Sequence, residues 1–320
     1  MMKVAGNERV MKQIASLPSH VGNQTSAAQA MLAAMAIIGV TDNAVPLMAE
    51  TLGLGQFYVL RTLVALPILW AMSKMGFGSM MPRRFGAVTL RALLVATSMV
   101  FYFSAVALMP IAQALAGLFT SPIIIIVVSV LFMRLRIGMV RIAAVIGGFV
   151  GVLFVLQPDV TAFDWMILLP VAGGVFYALG SIVTGTMCKE ESTVSMLFIY
   201  LLAQGLIGAL LLIGVEIWPL PVGQGADGFV TRGWVWPLWE MSHLILLQGF
   251  AAVGGVFLIT KAYQLGEASF VAVFEYSVLL VGPAIAWLVY GQVLNFAQMM
   301  GIALIVLAGS TLALRSSKGA

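Results

Sequence analysis

Charge is what this sequence has least of. Asp, Glu, Lys and Arg together make up 9% of its 320 residues, against about 25% in a soluble domain. A water-exposed surface cannot be built from that supply, so a soluble globular protein is excluded. A single cysteine, Cys188, excludes an intramolecular disulfide and a cysteine-built zinc cage. The histidines, His20 and His243, show no HExxH-type spacing, and no GxxxxGK[ST] loop is present to cradle ATP. No metal site and no cofactor are expected. No short apolar core precedes Ala27, so residues 1–26, which carry Lys3, Arg9, Lys12, Pro18 and Gly22, read as a polar tail and not as a cleavable signal.

What the chain has in abundance is apolar length. Hydrophobic residues make up 62% of it, and the mean hydropathy is +1.08. The apolar runs resolve into ten spans, 27–49, 54–72, 87–108, 110–133, 138–157, 165–187, 194–217, 238–261, 268–290 and 296–315. Each has about 20 residues, the length a roughly 30 Å hydrocarbon layer requires at 1.5 Å rise per residue. The stretch 109–158 is two such spans joined by a basic elbow, Arg134, Arg136 and Arg141. A weaker copy runs over 266–314, with Ala112-Gln113 against Ala268-Ser269 and Gly151 against Gly309. One hairpin used twice fixes the unit of architecture. The expected fold is an all-α integral membrane protein of ten transmembrane helices, built as two inverted-topology five-helix repeats over 27–157 and 165–315.

The inversion follows from parity: after five spans the second half enters the membrane with the opposite orientation. With the N-terminus inside, every Lys and Arg except Arg61, within a span, and Arg232, in an outer loop, falls in a cytoplasmic segment. Lys74, Arg83, Arg84 and Arg91 are counted there together. This is the asymmetry of the positive-inside rule, so both termini are expected in the cytoplasm and the chain in the inner membrane. The same distribution accounts for the net charge of +4 without nucleic acid as a partner. Trp165, Trp218, Trp234, Trp236, Trp239 and Trp287 all fall near outer span ends, where an amphipathic indole sits well between lipid and water. The longest loop, 219–237, is expected on the bilayer surface, with a part in a binding surface as the alternative.

A charge inside a span costs at least roughly 2.5–3.5 kcal/mol on insertion scales and needs a partner or a water-filled cavity. Asp42, Arg61 and Glu275 are the clear cases. Asp42 and Arg61 lie about 6 Å and about 3 Å outward of their span centres, similar depths across a helical hairpin. They read either as a static pair joining two helices or as functional groups. Glu275, in AVFEYSV, lies about 9 Å of helix from the cytoplasmic span end, beyond easy snorkelling. No basic residue is evident at matching depth in the inner leaflet, which leaves water, a proton or a cationic ligand as its partner; a solvated vestibule with no specific ligand is the alternative. Tyr102, Tyr177 and Gln204 are further candidates for a cavity wall, with Gln113, Thr120, Ser121, Tyr200, His243 and Gln248 behind them. Each also fits a helix–helix hydrogen bond. Pro122 and Pro283 each remove a backbone hydrogen bond within a span and mark flexible points. Gly147-x3-Gly151 permits close helix approach, read as internal packing.

The run RALLVATSMVFYFSAVALMPIAQALAGLFTSPIIIIVVSVLFM over 91–133 resembles the third and fourth helices of the drug/metabolite transporter superfamily, EamA-like branch. VAVFEYSVLLVGPAIAWLVYGQ over 271–292 resembles the ninth. Arg61 stands where that family often has an arginine in its second helix, and Asp42 where many members have an acidic or amide residue in the first. The resemblance runs from about residue 28 to 314. It departs from the family at both hairpin elbows, where Arg134 and Gln292 replace a common glutamate, and at Pro46, which replaces a lysine late in the first helix. It implies a small organic metabolite or amphipathic drug-like solute, such as an amino acid, nucleoside, vitamin or S-adenosylmethionine-like compound.

Of the function classes left open, an integral-membrane enzyme acting on a lipid-linked or amphipathic substrate needs clustered catalytic groups at one interface. The outer loops offer only scattered Asp159, Asp164, Asp227 and His243. A scaffold or sensor needs a sizeable soluble domain to relay a signal. A secondary carrier needs an internal repeat and a few buried charges, and both are present. The expected function is therefore not enzymatic: movement of a small solute across the cytoplasmic membrane by alternating access about a midplane cavity, with protons as the candidate coupling ion.

Overall fold

A computed structural model describes residues 20–109, 111–158, 165–281 and 293–318, with Ala284 and Leu288 between the last two stretches. Among them the chain is helical: α1 (His20–Thr41), α2 (Ala44–Ala49), α3 (Leu54–Lys74), α4 (Phe85–Leu108), α5 (Ile111–Leu118), α6 (Ser121–Leu131), α7 (Met139–Leu156), α8 (Leu168–Thr186), α9 (Thr193–Ile217), α10 (Ser242–Leu265), α11 (Ala268–Val271) and α12 (Phe296–Lys318). The chain after α11 tightens into 3-10 geometry over Ala272–Ser277. Nine stretches among the described residues are long and apolar enough to cross a membrane, and the shorter apolar segment Ala268–Val281 ends where description becomes partial. Pro283, Trp287, Gln292, Asp159 and Asp164 lie outside the described residues, as do residues 1–19 of the expected tail. The rest of that tail is already the start of α1.

Span limits follow the apolar runs closely, with one displacement. The expected span 238–261 lies instead at Ser242–Leu265, and Leu238 and Met241 before it pack against the buried cluster that contains Phe57 and Phe229. Helices pair between the two halves of the chain: α1 with α10, α4 with α8, α3 with α9 and α7 with α12. The α7–α12 crossing is closest at Gly151 and Gly301, where a Cβ on either would stand 2.8 or 2.6 Å from the other's carbonyl oxygen. Gly151 thus packs internally, while Gly147 faces open space.

Spans are interrupted near the centre of the bundle. Between α1 and α2 the helix breaks at Asp42–Asn43. Gln248 of α10 donates to the Thr41 carbonyl at 2.8 Å, taking up an acceptor that the broken helix releases. Between α5 and α6 the break falls at Phe119–Thr120, just before Pro122, whose missing N–H cannot continue the helix. The Thr120 hydroxyl donates to the Gly117 carbonyl at 2.7 Å. Gly174 lets α8 pass this break, since a Cβ there would meet Thr120 Oγ1 at 2.8 Å and the Leu118 carbonyl at 3.0 Å.

The loop 219–237, expected on the bilayer surface, is tied to the helix ends beneath it. Its middle folds onto the ends of α2 and α3. Phe229 is fully buried and stands 6.2 Å from the Phe57 ring. Arg232 Nη1 donates to the carbonyls of Ala49 and Leu52 at 2.8 and 2.9 Å, which are acceptors left over at a helix C-terminus and favoured by a cation. The Gln56 amide exchanges two hydrogen bonds with the backbone of Val235. Trp218, Trp236 and Trp239 remain exposed around this folded core. At the opposite end, Glu191 accepts from the backbone N–H groups of Arg83 and Arg84 at 2.9 and 2.7 Å. Arg141 of the basic elbow is ion-paired with Glu267 and donates to Ser269 at 2.9 Å.

Candidate functional site

Where α1, α3, α4, the α5–α6 break, α8 to α10 and the Ala272–Ser277 turn converge, they enclose a cavity of about 140 Å³. Its wall contains Asp42, Arg61, Tyr102, Tyr177 and Glu275, five of the six residues singled out in the sequence. Gln204 is not among the lining residues. It is 1% exposed on α9, with neither amide atom hydrogen-bonded. Arg91, Tyr200, Tyr263 and Gln248 also line the cavity. Of the other polar candidates, Ser121 is in the wall, whereas His243 is exposed at the start of α10.

Glu275 is carried by the Ala272–Ser277 turn and is 3% exposed. The hydroxyl of Tyr177, from α8, donates to its Oε1 at 2.9 Å, and that of Tyr263, from α10, donates to the same oxygen at 2.5 Å. Two neutral donors replace part of the water that a carboxyl group loses on burial, which is what allows an acid to remain here. Neighbouring Tyr276 packs edge-on against Phe119 beside the α5–α6 break, at 6.0 Å between centroids. The acid therefore sits where irregular backbone from two spans meets.

Arg91 requires a correction. Near the start of its span it reads as part of a cytoplasmic segment, but α4 carries its side chain inward, 3% exposed. Nε donates to Thr184 Oγ1 at 3.2 Å and Nη2 to Thr260 Oγ1 at 2.9 Å, and the guanidinium stands 5.7 Å from the Tyr200 ring centroid. A basic group thus shares the cavity with Glu275, contrary to the expectation that none lies near its depth. Asp42 and Arg61 share the cavity too and lie within electrostatic range of each other. They do not form an ion pair within 4 Å; among the described residues the only such pair is Arg141–Glu267. The hairpin brings them to one space without joining them, and the break at Asp42–Asn43 interrupts the regular helix between the first span and Asp42.

The model of the EamA-like transporter family matches residues 164–314. A riboflavin transporter of Vibrio cholerae serotype O1 is 32% identical over 232 residues, 72% of each chain. An S-adenosylmethionine uptake transporter of Rickettsia bellii is 23% identical over 218 residues, 68% of each chain. A solved crystal structure superposes with a TM-score of 0.72 at 18% identity, over 91% of this chain and 98% of that one, and shows a shared fold.

Proposed function

This chain belongs to the EamA-like transporter family of the drug/metabolite transporter superfamily, and from that premise we propose that it carries a planar heteroaromatic metabolite of the riboflavin type. It is a multi-pass membrane protein and a transporter of small molecules, not an enzyme. The observation that carries the narrower reading is the 32% identity to a riboflavin transporter over 72% of both chains. The cavity wall supports it. Tyr102, Phe103, Phe119, Tyr177, Tyr200 and Tyr263 offer aromatic surface to a flat ring system, and a few polar groups between them can fix its orientation.

The mechanism proposed is alternating access between two five-helix halves of inverted topology, ten spans in all, with both termini in the cytoplasm of the producing cell and the loop 219–237 outside. The pairing of helices supports the repeat. The first span of one half packs against the third of the other in both directions, α1 with α10 and α8 with α4, while α3 pairs with α9 and α7 with α12. A two-fold relation between halves generates this pattern. Interrupted spans beside a central cavity support a site at the repeat interface. Glu275 is the proposed proton site, with Tyr177 and Tyr263 orienting it; Asp42, Arg61 and Tyr102 are proposed to contact solute. Gln204 is assigned no contact.

The test is uptake of radiolabelled riboflavin by proteoliposomes containing the purified protein, with S-adenosylmethionine assayed in parallel and a pH gradient imposed or omitted. Saturable riboflavin uptake that depends on the gradient is expected. Uptake of S-adenosylmethionine alone would move the substrate to the second kind of relative, and uptake of neither would overturn the substrate reading.

A further inference from the structure

The cationic groups of the cavity lack anionic partners in contact. The one ion pair among the described residues, Arg141–Glu267, lies outside the cavity wall. Arg91 donates to the neutral hydroxyls of Thr184 and Thr260 beside the Tyr200 ring, and its Nη1 is buried without a hydrogen-bond partner. Arg61 Nε is likewise buried and unpartnered, with its guanidinium 5.9 Å from the Phe57 ring centroid. Arg61 of α3, Arg91 of α4 and Tyr200 all line the cavity, and the Arg91 guanidinium stands 5.7 Å from the Tyr200 ring centroid. A guanidinium presents five N–H donors in a planar fork and has no acceptor of its own. Donors kept from water without an acceptor are costly, and two cavity-lining guanidiniums with no carboxylate in contact favour an oxygen-bearing occupant.

We propose that Arg61 and Arg91 form a subsite for the acceptor-oxygen edge of the transported solute, the ring carbonyls or carboxylate of a planar molecule. The subsite rests on the cavity being the transport site and adds a chemical requirement to it. Aromatic surface alone admits any flat apolar ring, whereas the arginine fork admits those that present oxygens in the ring plane. Arg91 is thereby a specificity-determining residue. It is set apart from Glu275, whose carboxyl oxygen already accepts from Tyr177 and Tyr263.

The experiment is equilibrium binding to the purified full chain in nanodiscs, for the wild type, Arg61→Gln, Arg91→Gln and Arg91→Lys, each checked by size exclusion for a monodisperse fold. The probes are riboflavin, lumichrome (the same ring carbonyls without the sugar-alcohol tail), indole-3-carboxylate, and phenazine, a flat tricycle with no ring oxygen. Both Gln variants should weaken the oxygen-bearing probes roughly tenfold or more, with phenazine unchanged, and Arg91→Lys, which keeps charge but not the fork, should fall between. If riboflavin fails to bind while lumichrome or the carboxylate binds in an arginine-dependent way, the riboflavin reading falls and the subsite stands. If riboflavin binds wild type and both Gln variants within about twofold, the subsite falls and the riboflavin reading stands. Equal loss of phenazine in the variants, or no oxygen-bearing probe bound by the wild type, also overturns the subsite.

Discussion

Glu275 has both phenol hydroxyls of its neighbours on one carboxyl oxygen, so substitution by Gln keeps the size and an acceptor while removing an exchangeable acid. Glu275→Gln is expected to fold and insert, yet to lose the dependence of uptake on an imposed pH gradient, while Gln204→Ala is milder. An unaltered pH profile in Glu275→Gln would make the acid structural. Cys188 makes a different prediction. It is fully buried between α8 and α9, and burial pushes its thiol up to about 11. Thiolate is scarce at neutral pH under those conditions, so maleimide should label the protein only after denaturation; rapid labelling of the folded chain would contradict the burial. Sequence reading finds acids and bases standing alone in apolar runs, which is why Asp42, Arg61 and Glu275 are visible there. Arg91 is not, because a basic residue near a span end looks the same whether it snorkels or turns inward. The hydroxyls that hold it stand 93 and 169 residues away in the chain. Gln204 misleads for a related reason: α9 is apolar on every side, so no periodicity says which face meets the cavity.

At the level of elements, spans are legible because each apolar run must cover the hydrocarbon layer, and polar or turn residues close it. The interruptions are legible in part. Pro122 announces the α5–α6 break through its missing N–H. Pro46 announces the one at Asp42–Asn43 in the same way, since it lacks the N–H that would bond the Asp42 carbonyl; what stays hidden is the partner of the released Thr41 carbonyl, Gln248, 207 residues away. The fold of 219–237 is hidden for the same reason, since Arg232 finds its acceptors at the end of α2 only once that end exists. Those contacts carry a prediction. Arg232→Ala removes the donors to Ala49 and Leu52, a change expected to cost about 1–3 kcal/mol of local stability where charged hydrogen bonds are lost. Limited proteolysis within 219–237 should speed up severalfold while the spans stay intact. Unchanged cleavage would mean that Phe229 alone anchors the loop.

For the whole molecule, the strongest signal in the sequence is the placement of basic residues, and moving Arg91 from a loop into the cavity leaves that asymmetry in place. Reporter fusions at Arg84, Arg136 and Lys318 should all report cytoplasm, and fusions within 224–231 the outer side; a C-terminus found outside would contradict the inverted repeat. In the proposed mechanism the repeat lets a site shared by two halves open to one side at a time, and loading from the far side then speeds the return of the carrier. Counterflow measures that directly. Proteoliposomes preloaded with unlabelled riboflavin and diluted into a trace of labelled riboflavin should accumulate label transiently above equilibrium, and liposomes without preload should not. Entry of label at a rate indifferent to the solute inside would contradict a carrier.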